Sequence, residues 1–325
     1  MSYNEVAKVH KKLGTLLKKA NEISENAAKE FVSQHNISIE DIINRKCDWK
    51  TILDFNRYIS NSTGMERNKY IPKNIAIERI NIEDFPAEWL YIPEAEEEKI
   101  FFHLFGGGYI MGNLESRRWI PYLVSNATNL RCLTIEYRLA PEYPFPAALD
   151  DSVKAFKWLL SEGYNPKKII IGGESAGGGL TMATLLKLKE LELPFPAAAV
   201  LMSPWVDLTG SGKSLEINSK YEPELVAGIK LMALAYAQNH SLENPYISPV
   251  FADLSGFPPL LIQAGGIEAI LDNSIILAEK ARTAGIDIKL EVYDNMVHVF
   301  QNLGYELSES KKAFENVYKF VQNYI

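Results

Sequence analysis

Ile169-Ile170-Ile171-Gly172-Gly173-Glu174-Ser175-Ala176-Gly177-Gly178 is the stretch on which the fold turns. A β-branched apolar run meets a serine flanked, two places away on each side, by Gly173 and Gly177, and a helical stretch from Leu180 to Leu188 follows. This is Gly-x-Ser-x-Gly in the strand-turn-helix setting that makes the pattern meaningful. Glycines at those two places remove side chains that would collide in a sharp turn, and the serine takes the strained backbone itself. Its hydroxyl then projects above a sheet at the positive end of a helix, which makes Ser175 the candidate nucleophile.

Outward from this elbow, short β-rich runs alternate with helical stretches. Strands are expected at Ile75–Ile82, Trp89–Ile92, Lys99–Phe105, Arg131–Tyr137, Lys168–Gly172, Ala198–Ser203, Pro259–Ala264 and Ile288–Tyr293. Helices are expected near 115–128, 147–161, 176–190, 272–284 and 307–324. Most of the later strands are apolar on both faces, which suits strands buried between helix layers in a mostly parallel α/β sheet. Two pieces stand outside the alternation. Residues 1–60 read as helices ahead of any strand, and about 210–245 is a polar and then helical insertion between two core strands. Both are expected to cap the carboxyl edge of the sheet, where ligands bind, leaving 61–325 as the catalytic domain around the insertion.

A serine hydroxyl needs a base. Of five histidines, His10 and His35 lie in the N-terminal helices, His240 in the insertion and His103 inside an apolar strand, where a hydrogen-bonded core role is expected. His298, between the last strand and the last helix, is the candidate base. Glu268, Asp272 and Asp294 all precede it as candidate orienting acids. Position favours Glu268, because it follows Leu260–Ala264 and Gly265-Gly266, whereas Asp272 suits a helix start and Asp294 lies only four residues from His298. Gly106-Gly107-Gly108 ends another strand, and the N–H groups of Gly106, Gly107 and Ala176 are the expected oxyanion donors. Gly108, Tyr109, Trp205 and Leu208 are the expected substrate-binding positions.

Composition narrows the partners. The 325 residues carry a formal charge of −7, with Lys and Arg dispersed, so nucleic acid is not an expected partner. Cys47 and Cys132 have no metal-ligand or disulfide spacing, which suits a cytoplasmic, metal-free protein. Val6, Val9, Leu13, Leu17, Ala20, Ile23, Ala27 and Phe31 form an amphipathic stripe flanked by lysines. Packing on a core is expected for it, and stable membrane insertion is not.

Gly106-Gly107-Gly108 with Tyr109 and Gly112, Tyr137-Arg138-Leu139-Ala140-Pro141-Glu142 leading to Pro144-Phe145-Pro146-Ala147-Ala148, and then the serine elbow, occur in that order. The set resembles the hormone-sensitive-lipase-like carboxylesterases of the α/β-hydrolase superfamily, over about residues 75–325. The resemblance implies a triad of Ser175, Glu268 and His298, with Ile270 and Asp272 matching the pattern that follows the acid. It also implies a helical cap and cleavage of short- to medium-chain acyl esters, small-molecule substrates, without a cofactor. A lactone hydrolase or deacetylase would use the same residues, a non-catalytic small-ligand-binding protein would use the same scaffold, and a homodimer is left open. One residue departs from the family: Phe105 stands where histidine usually precedes the glycines, and His103 lies two places earlier, on the same face by strand alternation.

Overall fold

The apolar runs pair as the alternation requires. In the computed structural model, which describes residues 3–44 and 46–325, eight strands form one sheet. They are β1 (Ala76–Ile82), β2 (Phe85–Tyr91), β3 (Glu96–Leu104), β4 (Leu130–Ile135), β5 (Ile169–Glu174), β6 (Ala198–Met202), β7 (Leu260–Gly265) and β8 (Ile288–Tyr293). Their order is β1-β2-β4-β3-β5-β6-β7-β8. β1 with β2 and β2 with β4 are antiparallel, and every other pairing is parallel. The second strand is longer than expected, beginning at Phe85 instead of Trp89, because Ile82↔Phe85 closes a tight hairpin with β1.

Eleven helices are described: α1 (Tyr3–Val9), α2 (Lys11–His35), α3 (Ile39–Ile43), α4 (Trp49–Arg67), α5 (Trp119–Thr128), α6 (Ala147–Ser161), α7 (Ala176–Glu190), α8 (Ser214–Ile217), α9 (Pro223–Ala237), α10 (Leu271–Thr283) and α11 (Ser308–Val321). Alternate side chains of each central strand serve opposite faces. Ile169, Ile171, Leu201 and Ile262 pack with Phe156 of α6, Leu180 of α7 and Leu277 of α10. Ile170, Val200 and Leu261 pack on the other side with Leu123 of α5 and Phe314 and Val317 of α11.

Most of the N-terminal stripe is buried, though Val9 is exposed and Ala20 and Ile23 only half-buried. Val6, Leu13 and Leu17 pack against Met296, Val297, Phe300 and Ala313, the loop around His298 and the helix after it. None of the described helices is long and apolar enough to cross a membrane. The boundary expected at residue 60 falls inside α4, which runs on to Arg67. Arg57 fastens that helix by donating to the carbonyls of Ile110 (2.8 Å) and Ala140 (3.1 Å) and by a two-pronged pair with Glu142 (2.6 and 2.7 Å).

Candidate active site

β5 ends in the turn that its glycines permit. Ser175 sits at φ 55°, ψ −123°, a conformation rare for a residue with a side chain, immediately before α7. A Cβ at Gly173 would lie 2.1 Å from the carbonyl oxygen of Leu104, and one at Gly177 1.9 Å from the same atom, so neither position admits a side chain. Ser175 Oγ lies 2.9 Å from His298 Nε2. A hydroxyl at that distance from an imidazole nitrogen can pass its proton to the ring.

Glu268 is fully buried, with Oε2 3.8 Å from His298 Nδ1. That distance is an ion pair and not a hydrogen bond, and both Glu268 Oε1 and His298 Nδ1 are buried without a hydrogen-bond partner. Oε2 is already held by the Ser203 hydroxyl (2.5 Å) and the N–H of Gly265 (3.1 Å). Catalytic hydrogen bonds that are long in a ligand-free enzyme commonly tighten when substrate binds. Burial alone would lower the pKa of His298, but the carboxylates of Glu268, Glu222 and Glu174 outweigh it and raise the pKa above its ordinary value. Asp272 stands apart from the imidazole: in the first turn of α10 its carboxylate accepts the N–H of Ser214 (3.0 Å), and its own N–H donates to the Ser214 hydroxyl (3.1 Å).

Two supports escape a reading by motif. Glu222, at the start of the inserted helix α9 and 1% exposed, accepts the N–H of His298 on one oxygen (2.6 Å) and that of Ala269 on the other (2.7 Å). Burial raises its pKa, against the pull of His298 and of those donors. Ser203 accepts the N–H of Val299 (3.0 Å) while donating to Glu268. No local signal marks either residue, since their partners lie dozens of positions away.

The glycine loop requires one correction. Gly106 does not offer its N–H to a ligand, because that group donates to Glu174 Oε1 at 2.7 Å. Among the described residues, the N–H groups of Gly107, Gly108 and Ala176 have no acceptor. Gly107 (φ 139°) and Gly108 (φ 62°) adopt backbone that L side chains rarely reach, which is why glycines stand there. Glu174 Oε2 in turn pairs with His103 Nε2 at 2.9 Å, and His103 Nδ1 lies 3.1 Å from the Thr134 hydroxyl. Burial would raise the pKa of Glu174, yet His103, the Gly106 N–H and Arg117 hold it below the usual carboxylate value. Phe105 is fully buried, stacked on Tyr137 with ring centroids 4.3 Å apart.

A cavity of about 370 Å3 opens above Ser175, lined by the glycine loop, Met111, Arg117, Trp205, Ile270, His298 and, from α9, Leu225, Ile229 and Met232. Gly108 and Trp205 line this cavity, but Tyr109 and Leu208 do not. Tyr109 is 1% exposed and stacked on Tyr236 (3.8 Å), and Leu208 is 4% exposed within the core cluster. The spacing of 225, 229 and 232, one face of a helix in the insertion, was the available signal for these lining residues. Beyond His298 lies a second cavity of about 400 Å3, lined by Leu17, Ala20 and Ser24 of α2 and Ile59, Thr63 and Arg67 of α4.

Comparisons with known proteins point to the same fold. The family model for the alpha/beta hydrolase fold matches residues 100–302. An acetyl-hydrolase of Streptomyces hygroscopicus is 36% identical over 70% of this chain and 77% of its own, and an esterase of Acinetobacter venetianus is 34% identical over 70% and 76%. A crystal structure described as an esterase from the bacterial hormone-sensitive lipase family superposes with a TM-score of 0.81 at 36% identity, covering 92% of this chain and 98% of that one. A match of that extent, over a sheet that holds Ser175 and His298 in contact, means that the chain belongs to the hormone-sensitive-lipase-like carboxylesterases of the α/β-hydrolase superfamily.

Proposed function

We propose that this ester hydrolase cleaves short- to medium-chain acyl esters through Ser175, His298 and Glu268, by way of an acyl-enzyme. The contact between Ser175 Oγ and His298 Nε2, at the floor of a cavity edged by unoccupied N–H groups, carries this reading. As Oγ bonds to the ester carbonyl carbon, Nε2 takes the hydroxyl proton, and the carbonyl oxygen becomes an anion facing the N–H groups of Gly107, Gly108 and Ala176. Glu268 stabilises the imidazolium that results. Collapse of the tetrahedral species expels the alcohol, which leaves with the proton from Nε2. Water, deprotonated by the same nitrogen, then attacks the acyl carbon, and collapse of this second tetrahedral species breaks its bond to Oγ, releases the carboxylic acid and returns the proton from Nε2 to Ser175. Gly108 here takes the donor role first expected of Gly106.

Helices α1–α4 and the insertion carrying α9 act as the cap, and α9 supplies the apolar wall for the acyl chain. The cavity volume and a relative named acetyl-hydrolase both favour the short end of the acyl range. A panel of p-nitrophenyl esters of rising acyl length tests the substrate class. A fluorophosphonate should label Ser175, and Ser175→Ala should abolish labelling and turnover. Label found on another residue of active protein would remove the assignment.

A further inference from the structure

Phe105 leaves the glycine loop without the imidazole that the family places beside it, and the loop is nevertheless anchored. His103 and Glu174 form a hydrogen-bonded chain across the carboxyl ends of three strands: Thr134 on β4, His103 on β3, Glu174 on β5, and finally the N–H of Gly106. The proton positions follow from chemistry. A carboxylate only accepts, so His103 Nε2 carries hydrogen toward Glu174, while Nδ1 faces the Thr134 hydroxyl at 3.1 Å. The chain ends on the backbone atom just before the two unoccupied donors, Gly107 and Gly108. Glu174 is also the immediate neighbour of Ser175. A Cβ at Gly106 would come within 2.7 Å of the Glu174 carbonyl oxygen and 3.1 Å of Ser175 Cβ, so loop and elbow are locked face to face. Phe105 contributes packing on Tyr137, and its carbonyl accepts the Tyr137 hydroxyl at 2.7 Å, but its ring offers the loop no polar contact.

We infer that His103 and Glu174 are positioning residues for the oxyanion hole: by holding the Gly106 N–H they fix the loop so that the next two N–H groups point at the anion formed on the substrate. This rests on the triad reading above. The role differs from that of a buried ion pair that merely fills space, because the pair ends on the loop whose aim governs the transition state. A single well-placed oxyanion donor is worth about 10² to 10³ in rate. Misaiming, without removing, such donors should therefore cost a smaller factor, and should do so in kcat more than in KM.

The test compares p-nitrophenyl butyrate with its thiono counterpart, whose sulfur is a poor hydrogen-bond acceptor and so gains little from the hole. Glu174→Gln keeps the size of the side chain, and His103→Phe removes the other member of the chain. Each is expected to lower kcat on the oxygen ester about 10- to 100-fold with KM within about threefold, and to lower the thiono rate several-fold less. The double variant should be no worse than the weaker single one, since the two act as one unit. Equal losses on both esters, losses confined to KM, or additive losses in the double variant would overturn the inference. His103→Phe alone, if it fails to fold, leaves Glu174→Gln to decide. A wild type that cleaves neither ester would remove the triad reading and this inference with it, whereas an active wild type with equal losses removes the inference alone.

Discussion

At the scale of single residues, the proposed mechanism makes the imidazole of His298 the group that sets the pH behaviour. It works as a base only when neutral, and its raised pKa means that it remains protonated to a higher pH than a free imidazole. The acid limb of kcat/KM should therefore have its midpoint above about 6.5, with activity falling as pH drops through it. Glu268→Gln removes the nearest source of that shift. It should move the limb to lower pH while cutting kcat by up to about 10⁴, read from kcat/KM against pH for both proteins. Asp272→Asn should leave both quantities nearly unchanged, because Asp272 is engaged with Ser214 at the start of α10. Phe105 makes a different prediction. Truncating a fully buried ring stacked on Tyr137 should cost about 3–5 kcal/mol in Phe105→Ala, measured by denaturant unfolding. A loss below about 1 kcal/mol would mean that the pocket collapses around the gap.

At the scale of elements, the insertion is tied to the catalytic loops by one carboxylate. Glu222 holds the N–H of His298 and that of Ala269, so one carboxylate joins the start of α9 to the loops carrying His298 and Glu268. Glu222→Gln keeps one acceptor but turns an amide donor toward the other N–H, leaving a buried donor unmatched at about 1–3 kcal/mol. Denaturant midpoints should show that loss, and kcat should fall about tenfold or more with little change in KM. An unchanged kcat would make Glu222 a fastening of the cap alone. Helix α4 is held in a similar way by Arg57. Its pair with Glu142 is half exposed and adds little stability, so Arg57→Ala should act chiefly by freeing α4 from the loops at Ile110 and Ala140. A raised KM with near-normal stability is the expected signature.

At the scale of the whole molecule, the N-terminal helices and the catalytic edge share a core. Leu13 is fully buried against the loop bearing His298, so Leu13→Ala should cost about 2–5 kcal/mol and lower kcat together, although it lies far from Ser175 in the chain. The elbow, the glycine run and the alternation of strands with helices were legible because each rests on local geometry: positive φ, close backbone approach and strands buried on both faces leave marks on neighbouring residues. That Glu268 and His298 fall in the loops after β7 and β8 was legible from their places in the chain. The membership of the cavity wall was less so, since Tyr109 and Leu208 have the same apolar character as Leu225 and Met232 and differ only in which way the fold turns them. Sequence alone thus determined the sheet, the serine in its strained turn and the presence of a backbone donor loop. Only the tertiary structure decided that the N–H of Gly106 is taken by Glu174 and that Glu222 and Ser203 hold the loops of base and acid. Those contacts join residues 65 to 96 positions apart, and no periodicity or motif records a hydrogen bond over that separation.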